Sequence, residues 1–194
     1  MMTKNNMKAR PWVWAGCMLL SVVILTGCTQ RVEDNNENWD IGSQEYADLA
    51  EEAMMHMQQF DFEAWGEMLA DDVEYYFPDG DAGTRTVLTG KSAVLDWWNN
   101  WETNSGITSM TFSSPVFLPV IAQAAPNYAG LTGPYVVTYM SIEMVFENNT
   151  VNLRMNFTLH FNDQNLIDRY YSYYDRAPII SAMGTNVLSN TSEN

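Results

Sequence analysis

The hydrophobic pattern of the chain changes its period near Ile107, and that change restricts the fold more than any other feature. Before it, apolar residues recur at helical spacing; after it, they alternate. Ser43 stands at an N-cap position, and Tyr46, Leu49, Ala50, Ala53, Met54, Met57 and Phe60 follow on one face, predicting an amphipathic helix to about Gln59. Asp61 offers a second cap, for a short helix that buries Phe62, Trp65, Met68 and Leu69. Val73, Tyr75 and Phe77 alternate along a short strand, and Pro78-Asp79-Gly80 turns the chain. A third helix begins near Gly90 and carries Val94, Leu95, Trp97, Trp98 and Trp101. From Ile107 the alternation predicts strands over 107–120, 135–147, 151–161 and 166–175. Asn148-Asn149 and Asn162-Asp163-Gln164-Asn165 have the composition of hairpin turns. Helices followed by an antiparallel meander define an α+β domain.

The first 27 residues follow neither pattern. Lys4, Lys8 and Arg10 make a positive start without acids, and Pro11 to Leu25 carries no charge. Roughly fifteen residues at about 1.5 Å rise fall short of a bilayer core of about 30 Å, so this run reads as a signal-peptide core. Leu25-Thr26-Gly27-Cys28 resembles the lipobox of bacterial lipoproteins. The resemblance implies cleavage before Cys28 and acyl chains such as palmitate on its sulfur. The new N-terminus would then anchor the chain to a membrane of the cell envelope. Thr29 is not the aspartate that retains lipoproteins at some inner membranes, so the expected site is an outer membrane, facing the periplasm or the cell surface. The expected organisation is a signal peptide over 1–27, a lipidated acidic tether over 28–42, a folded domain over 43–176 and a loose tail over 177–194.

Processing of that kind removes Cys17 and commits Cys28 to lipid, leaving no thiol nucleophile and no disulfide. It also removes three basic residues, leaving 6 basic against 24 acidic and taking the formal charge from −15 to −18. A surface so acidic repels nucleic acid. Two histidines without carboxylates at ligand spacing predict no metal site, and no cofactor motif is present. Gly90-Lys91-Ser92 imitates the end of a phosphate loop, but Arg85 stands where its first glycine belongs. Asp79-Gly80-Asp81 likewise lacks the closing glutamate of a calcium loop.

Three local patterns resemble the nuclear-transport-factor-2-like superfamily: Phe60-Asp61-Phe62-Glu63-Ala64-Trp65 through Leu69-Ala70-Asp71-Asp72-Val73, Leu88-Thr89-Gly90-Lys91-Ser92-Ala93-Val94, and Phe161-Asn162-Asp163-Gln164-Asn165-Leu166-Ile167. The resemblance implies a cone: a curved, mostly antiparallel sheet wrapped by three N-terminal helices around a pocket. With Tyr75 and Phe77 facing in, alternation extends the lining to Leu153, Met155, Phe157 and Leu159. Hairpin pairing then adds Asp168, Tyr170, Ser172 and Tyr174, and Trp65, Trp97, Trp98 and Trp101 close the pocket from the helices. Such a lining suits a small apolar ligand; equally, the rings could fill the cone as core.

Aligned on the same motifs, the catalytic positions of ketosteroid isomerases fall at Phe77, Ala53 and Phe157, which removes that chemistry. Limonene-epoxide-hydrolase relatives use an Arg and an Asp two apart, whereas Arg154-Met155-Asn156 offers only the arginine, on the outer face. SnoaL-like cyclases and isomerases need a His and an Asp within reach of each other. The candidates here are Asp168, expected to face inward near Tyr170, and His56 on the first helix. Parity places His160 outside. The leading expectation is therefore a lipid-anchored domain that binds a small apolar ligand or an envelope partner without catalysis. Its rival is a SnoaL-like isomerase, cyclase or hydrolase using Asp168 as acid/base with Tyr170 or His56. Tyr171, Tyr173, Arg154 and His160 on the outer face are candidates for a homodimer interface.

Overall fold

The computed structural model describes residues 38–127 and 129–188. The signal-like run, Cys28 and most of the tether lie outside the described residues, as do the last six residues of the tail. The first element is a short strand, β1 (Trp39–Ile41). Two helices follow, α1 (Gln44–Gln58) and α2 (Phe62–Glu67), then strands β2 (Leu69–Tyr76) and β3 (Val87–Thr89). Helix α3 (Lys91–Ser105) leads into a meander of β4 (Ile107–Ala122), β5 (Gly133–Phe146), β6 (Thr150–Phe161) and β7 (Ile167–Tyr173), and α4 (Ala177–Met183) closes the order.

Ser43 takes the N-cap position of α1 without a side-chain hydrogen bond, whereas the cap expected of Asp61 is made. Asp61 caps α2 by accepting from Ala64 N at 3.1 Å. Gly106 ends α3 at φ 74, a left-handed turn that frees the chain to reverse into β4. Helix α1 buries Ala47, Ala50, Ala53, Met54 and Met57, and α3 buries Val94, Trp98 and Trp101.

The strands form one curved, unclosed sheet in the order β1-β4-β5-β6-β7-β2-β3. All neighbours are antiparallel except β2 and β7, which run parallel, so the second strand lies beside the last. Register shifts between Ser113 and Val116 on β4, and opposite His160 and Phe161 where β7 carries an extra residue, mark bulges, which bend a sheet and tighten its twist. The concave face packs on the helices around Trp65, Tyr75, Phe77, Met140, Phe157 and Tyr170, each at most 3% exposed. The free edge of β4 is partly covered by α1, where Gln58 Oε1 accepts the backbone N–H of Phe112 at 2.6 Å.

The fold is thus the expected α+β arrangement, with three departures. Trp39–Ile41, read as tether, pairs with Val120–Ala122 as an edge strand. Val87–Thr89 adds a strand on the opposite edge, paired with β2. The tail is not loose over its first part: α4 has Pro178 in its first turn and Gly184 as a left-handed cap, and it buries Ile179. The folded unit therefore runs beyond both expected boundaries, 43 and 176. Among the described residues no helix is long and apolar enough to cross a membrane.

Candidate functional site

Inside the cone the side chains are aromatic, aliphatic and thioether. A cavity of about 40 Å³ is lined by Phe77, Trp97, Trp98, Trp101, Met155, Phe157 and Tyr174, all expected, and also by Met57, Met110, Phe112, Ile142 and Met144. The latter follow from register, since Met110 faces Met144 and Phe112 faces Ile142 across β4 and β5. Trp65, Tyr75 and Tyr170, also expected in the lining, sit deeper, as core. Trp65 meets Tyr170 edge-on at 5.8 Å, and Tyr75 stacks on Tyr170 at 4.7 Å. The cone is therefore neither an open pocket nor fully solid: the rings fill most of it and leave a gap the size of a few water molecules.

Apart from Arg176 and Thr185 in the wall, the polar groups of this interior are neutral phenols and indoles. Tyr170 OH donates to Met57 Sδ at 2.8 Å and lies 3.5 Å from Met54 Sδ. Trp65 Nε1, Tyr75 OH and Trp98 Nε1 are buried with no hydrogen-bond partner among the described residues. Burial raises the Tyr75 phenol well above its ordinary range, and the phenols of Tyr170 and Tyr174 add to the effect. Ser172 stands near enough to oppose that shift slightly but outside hydrogen-bond geometry, its own hydroxyl being donated to Tyr76 O at 2.7 Å. Burial likewise raises Tyr170, again with help from Tyr174, and it raises Tyr174 against the opposing charge of Arg176. At neutral pH these phenols are proton-bearing donors and cannot serve as bases.

Asp168 departs from the expected geometry. Alternation counted back along β7 places it in the cone, but the bulge opposite His160 and Phe161 inserts one residue, and both Asp168 and Arg169 turn to the outer face. There Asp168 Oδ1 lies 2.5 Å from His160 Nδ1, with its side chain 15% exposed. His160 Nε2 meets Thr132 O at 3.0 Å, so both ring nitrogens are engaged. Arg169 continues the chain of charges, 3.7 Å from Asp168 Oδ2 and 2.9 Å from Glu74 Oε2. Glu74 in turn accepts from Tyr76 OH at 2.6 Å. His160 is on the outer face as parity requires but only 5% exposed, with the Tyr135 ring 4.6 Å away.

Tyr171 is equally buried, in a small outer cluster with Ala122 and Tyr135. Neither His160 nor Tyr171 is therefore available to a partner surface, unlike Tyr173 and Arg154. His56 is remote from all of these in its contacts: it lies 3.9 Å from Glu52 and 3.6 Å from Asp61, at the junction of α1 and α2. The structure thus brings together neither Asp168 and Tyr170 nor Asp168 and His56. Among the described residues, no cluster of three or more His, Cys, Asp or Glu side chains could hold a metal ion.

Sequence reasoning missed Arg85. From the loop between β2 and β3 it donates to Phe77 O at 2.7 Å, Tyr76 O at 3.2 Å and Ser172 O at 3.0 Å. Its guanidinium lies over the rings of Tyr76 and Tyr173 at 5.5 and 5.0 Å. This fastens the parallel β2–β7 pair at the end where both strands leave the sheet. In the same loop Asp79 accepts the backbone N–H of Thr86 at 2.8 Å, so the would-be calcium loop is a turn tied by its own backbone.

No protein-family model matches the sequence, and a comparison with curated proteins finds no match. Solved structures do match. A nuclear-transport-factor-2-like protein of unknown function from Burkholderia pseudomallei aligns with TM-score 0.55 and 18% identity, over 71% of this chain and 96% of that one. A candidate polyketide cyclase from Xanthomonas campestris aligns at 0.54 and 17%, over 72% and 97%. An epoxide hydrolase of the limonene-epoxide-hydrolase-like kind from Mycobacterium tuberculosis aligns at 0.51 and 15%, over 73% and 90%. The chain has the nuclear-transport-factor-2-like fold, shared by proteins of several activities, and a fold does not choose among them.

Proposed function

Starting from that fold, we propose that the chain is a lipid-anchored envelope protein whose cone binds a small, neutral, apolar molecule without transforming it. One observation carries the reading. The cavity wall holds neutral phenol, indole and thioether groups and one arginine, while the domain's close carboxylate–imidazole pair, Asp168 and His160, lies on the other face of the sheet. Acid/base chemistry on a bound ligand needs a proton acceptor within about 3 Å of the reacting atom, and the cone's phenols are held in the wrong state for that role. The rival, a SnoaL-like isomerase, cyclase or hydrolase, rests on the fold alone once Asp168 is taken out of the cone.

The test is native mass spectrometry of protein purified from its own host. A bound apolar molecule recovered unchanged supports the reading, and its conversion during incubation with fresh protein would replace it with the enzymatic one. Anchoring has a separate test. Cys28→Ser abolishes incorporation of labelled palmitate and releases the domain from the membrane fraction; undiminished labelling refutes the lipobox.

We further propose that two copies pair through the convex face. Val116, Leu118, Tyr139 and Tyr173 there are 39–47% exposed, an apolar surface on a strongly acidic protein.

A further inference from the structure

The cone is closed by the part of the chain whose sequence reads as a tail. Helix α4 and the residues flanking it contribute Arg176, Ile179, Ile180, Met183, Val187 and Leu188 to the cavity wall. Seven residues of helix do not hold together by themselves. What holds them is burial of Ile179 and Leu188, at 9% and 5% exposure, together with side-chain hydrogen bonds such as Asn149 Nδ2 to Ala182 O at 3.2 Å. The strands beneath belong to continuous hydrogen-bonded ladders. An element fastened by a few side chains opens at lower free energy than the ladders it covers.

The space behind this segment is about 40 Å³. Sites for drug-sized organic ligands occupy about 300 Å³ or more, so this space, with room for a few water molecules, is too small for such a ligand while the segment is in place. Trp98 lines the cavity, and its buried Nε1 has no hydrogen-bond partner among the described residues, a condition that costs about 1–3 kcal/mol for a buried donor. Met57, Met110, Met144 and Met155 stand around it, and unbranched thioether side chains re-pack more readily than branched ones. Arg176, the cation of the wall and the N-cap of α4, precedes the segment and donates to Asn186 within it, while the rest of the wall is neutral.

Resting on the reading of the cone as a binding site, we propose that residues 177–188 form a displaceable plug. The ligand that takes its place is a flat, neutral molecule with a carbonyl-type oxygen for Trp98 Nε1. A ligand that must expel the plug binds more weakly by the fraction of time the cone is open, so loosening the plug strengthens binding.

The full chain is titrated with two probes of equal shape, 2-acetylnaphthalene, which carries the acceptor, and 2-ethylnaphthalene, which does not. Binding is read by tryptophan fluorescence, and opening by hydrogen exchange of the 177–188 amides. The ketone is expected to bind about tenfold tighter, the equivalent of about 1.4 kcal/mol. Exchange in 177–188 rises on binding while β5 and β6 stay protected. Ile179→Ser tightens both probes by about tenfold. Trp98→Phe brings the ketone-to-hydrocarbon ratio close to one, a ratio insensitive to general loosening of the wall. Binding with unchanged exchange in 177–188 overturns the plug, and equal affinity of the wild type for both probes overturns the acceptor requirement. If neither probe binds even to Ile179→Ser, the binding reading of the cone falls together with this one.

Discussion

The buried phenols make a prediction about alkaline stability that can be worked through. Tyr75 and Tyr170 are fully buried, and their phenols are raised well above the ordinary range, chiefly by burial. In the unfolded chain each ionises near pH 10. Below that pH both states bind the proton and stability is independent of pH. Above it the unfolded chain loses protons that the folded chain keeps, so the stability contributed by the neutral phenols drains away as pH rises. Each group costs about 1.36 kcal/mol per pH unit, and the two together about 2.7. By about pH 11.5 the loss is about 4 kcal/mol, a large share of the 5–15 kcal/mol typical of a domain. Tyr174 steepens the slope, and Tyr76 and Tyr135, pushed up to about 12 by burial and neighbouring carboxylates, steepen it further. Urea midpoints measured at intervals from pH 8 upward should be flat to about pH 10 and then fall at that rate. Tyrosinate absorbance should rise in step with loss of the far-ultraviolet circular dichroism signal. Smooth titration of all ten tyrosines near pH 10 with native dichroism retained would show that the cone is wet, and the neutral-donor account of the site would fail with it.

Other consequences are more local. Arg85→Met removes three hydrogen bonds to carbonyls and the stacking on Tyr76 and Tyr173, and is expected to lower the urea-derived stability by about 2–4 kcal/mol. Arg85→Lys should recover little, because an ammonium lacks the planar fork. Asp168→Asn should cost about 1–3 kcal/mol through its contact with His160 while leaving probe affinity in the cone within about twofold; a loss of binding larger than that would restore Asp168 to the site. Leu118→Arg, at a position 47% exposed, should convert a sedimenting dimer to monomer at unchanged melting temperature. A wild-type protein that already sediments as a monomer removes the convex-face pairing.

The sequence disclosed elements better than faces. Helices with cap residues at Ser43, Asp61 and Gly90, and strands with strict alternation, lie within a few residues of their expected bounds. Seven of the ten expected ligand-lining residues touch the cavity, Met155 and Phe157 among them by the alternation of β6 and Trp97, Trp98 and Trp101 from α3. Parity fails where a strand carries an extra residue. The bulge beside His160 has no signature in Leu159-His160-Phe161 or Ile167-Asp168-Arg169, and it moves the one candidate acid to the opposite face. Three-residue strands such as Trp39-Asp40-Ile41 are too short to show any period. Helix α4 was legible after all. Pro178, the apolar Ile179, Ile180 and Met183, and a closing Gly184 spell a short capped helix, hidden among small residues that resemble a tail.

The treatment of the β4 edge has a consequence for life at a crowded surface. Copies anchored by lipid, as proposed above, would meet one another in two dimensions, at local concentrations where an open strand edge would recruit its neighbours into a growing ribbon. Here the long margin of β4 offers little to recruit. Gln58 already occupies the N–H of Phe112, the bulge past Ser113 throws the strand out of plane, Pro115 and Pro119 donate nothing, and β1 covers the far end. The opposite margin ends in three residues of β3. The sheet is built so that crowding can press copies together face to face but cannot polymerise them edge to edge.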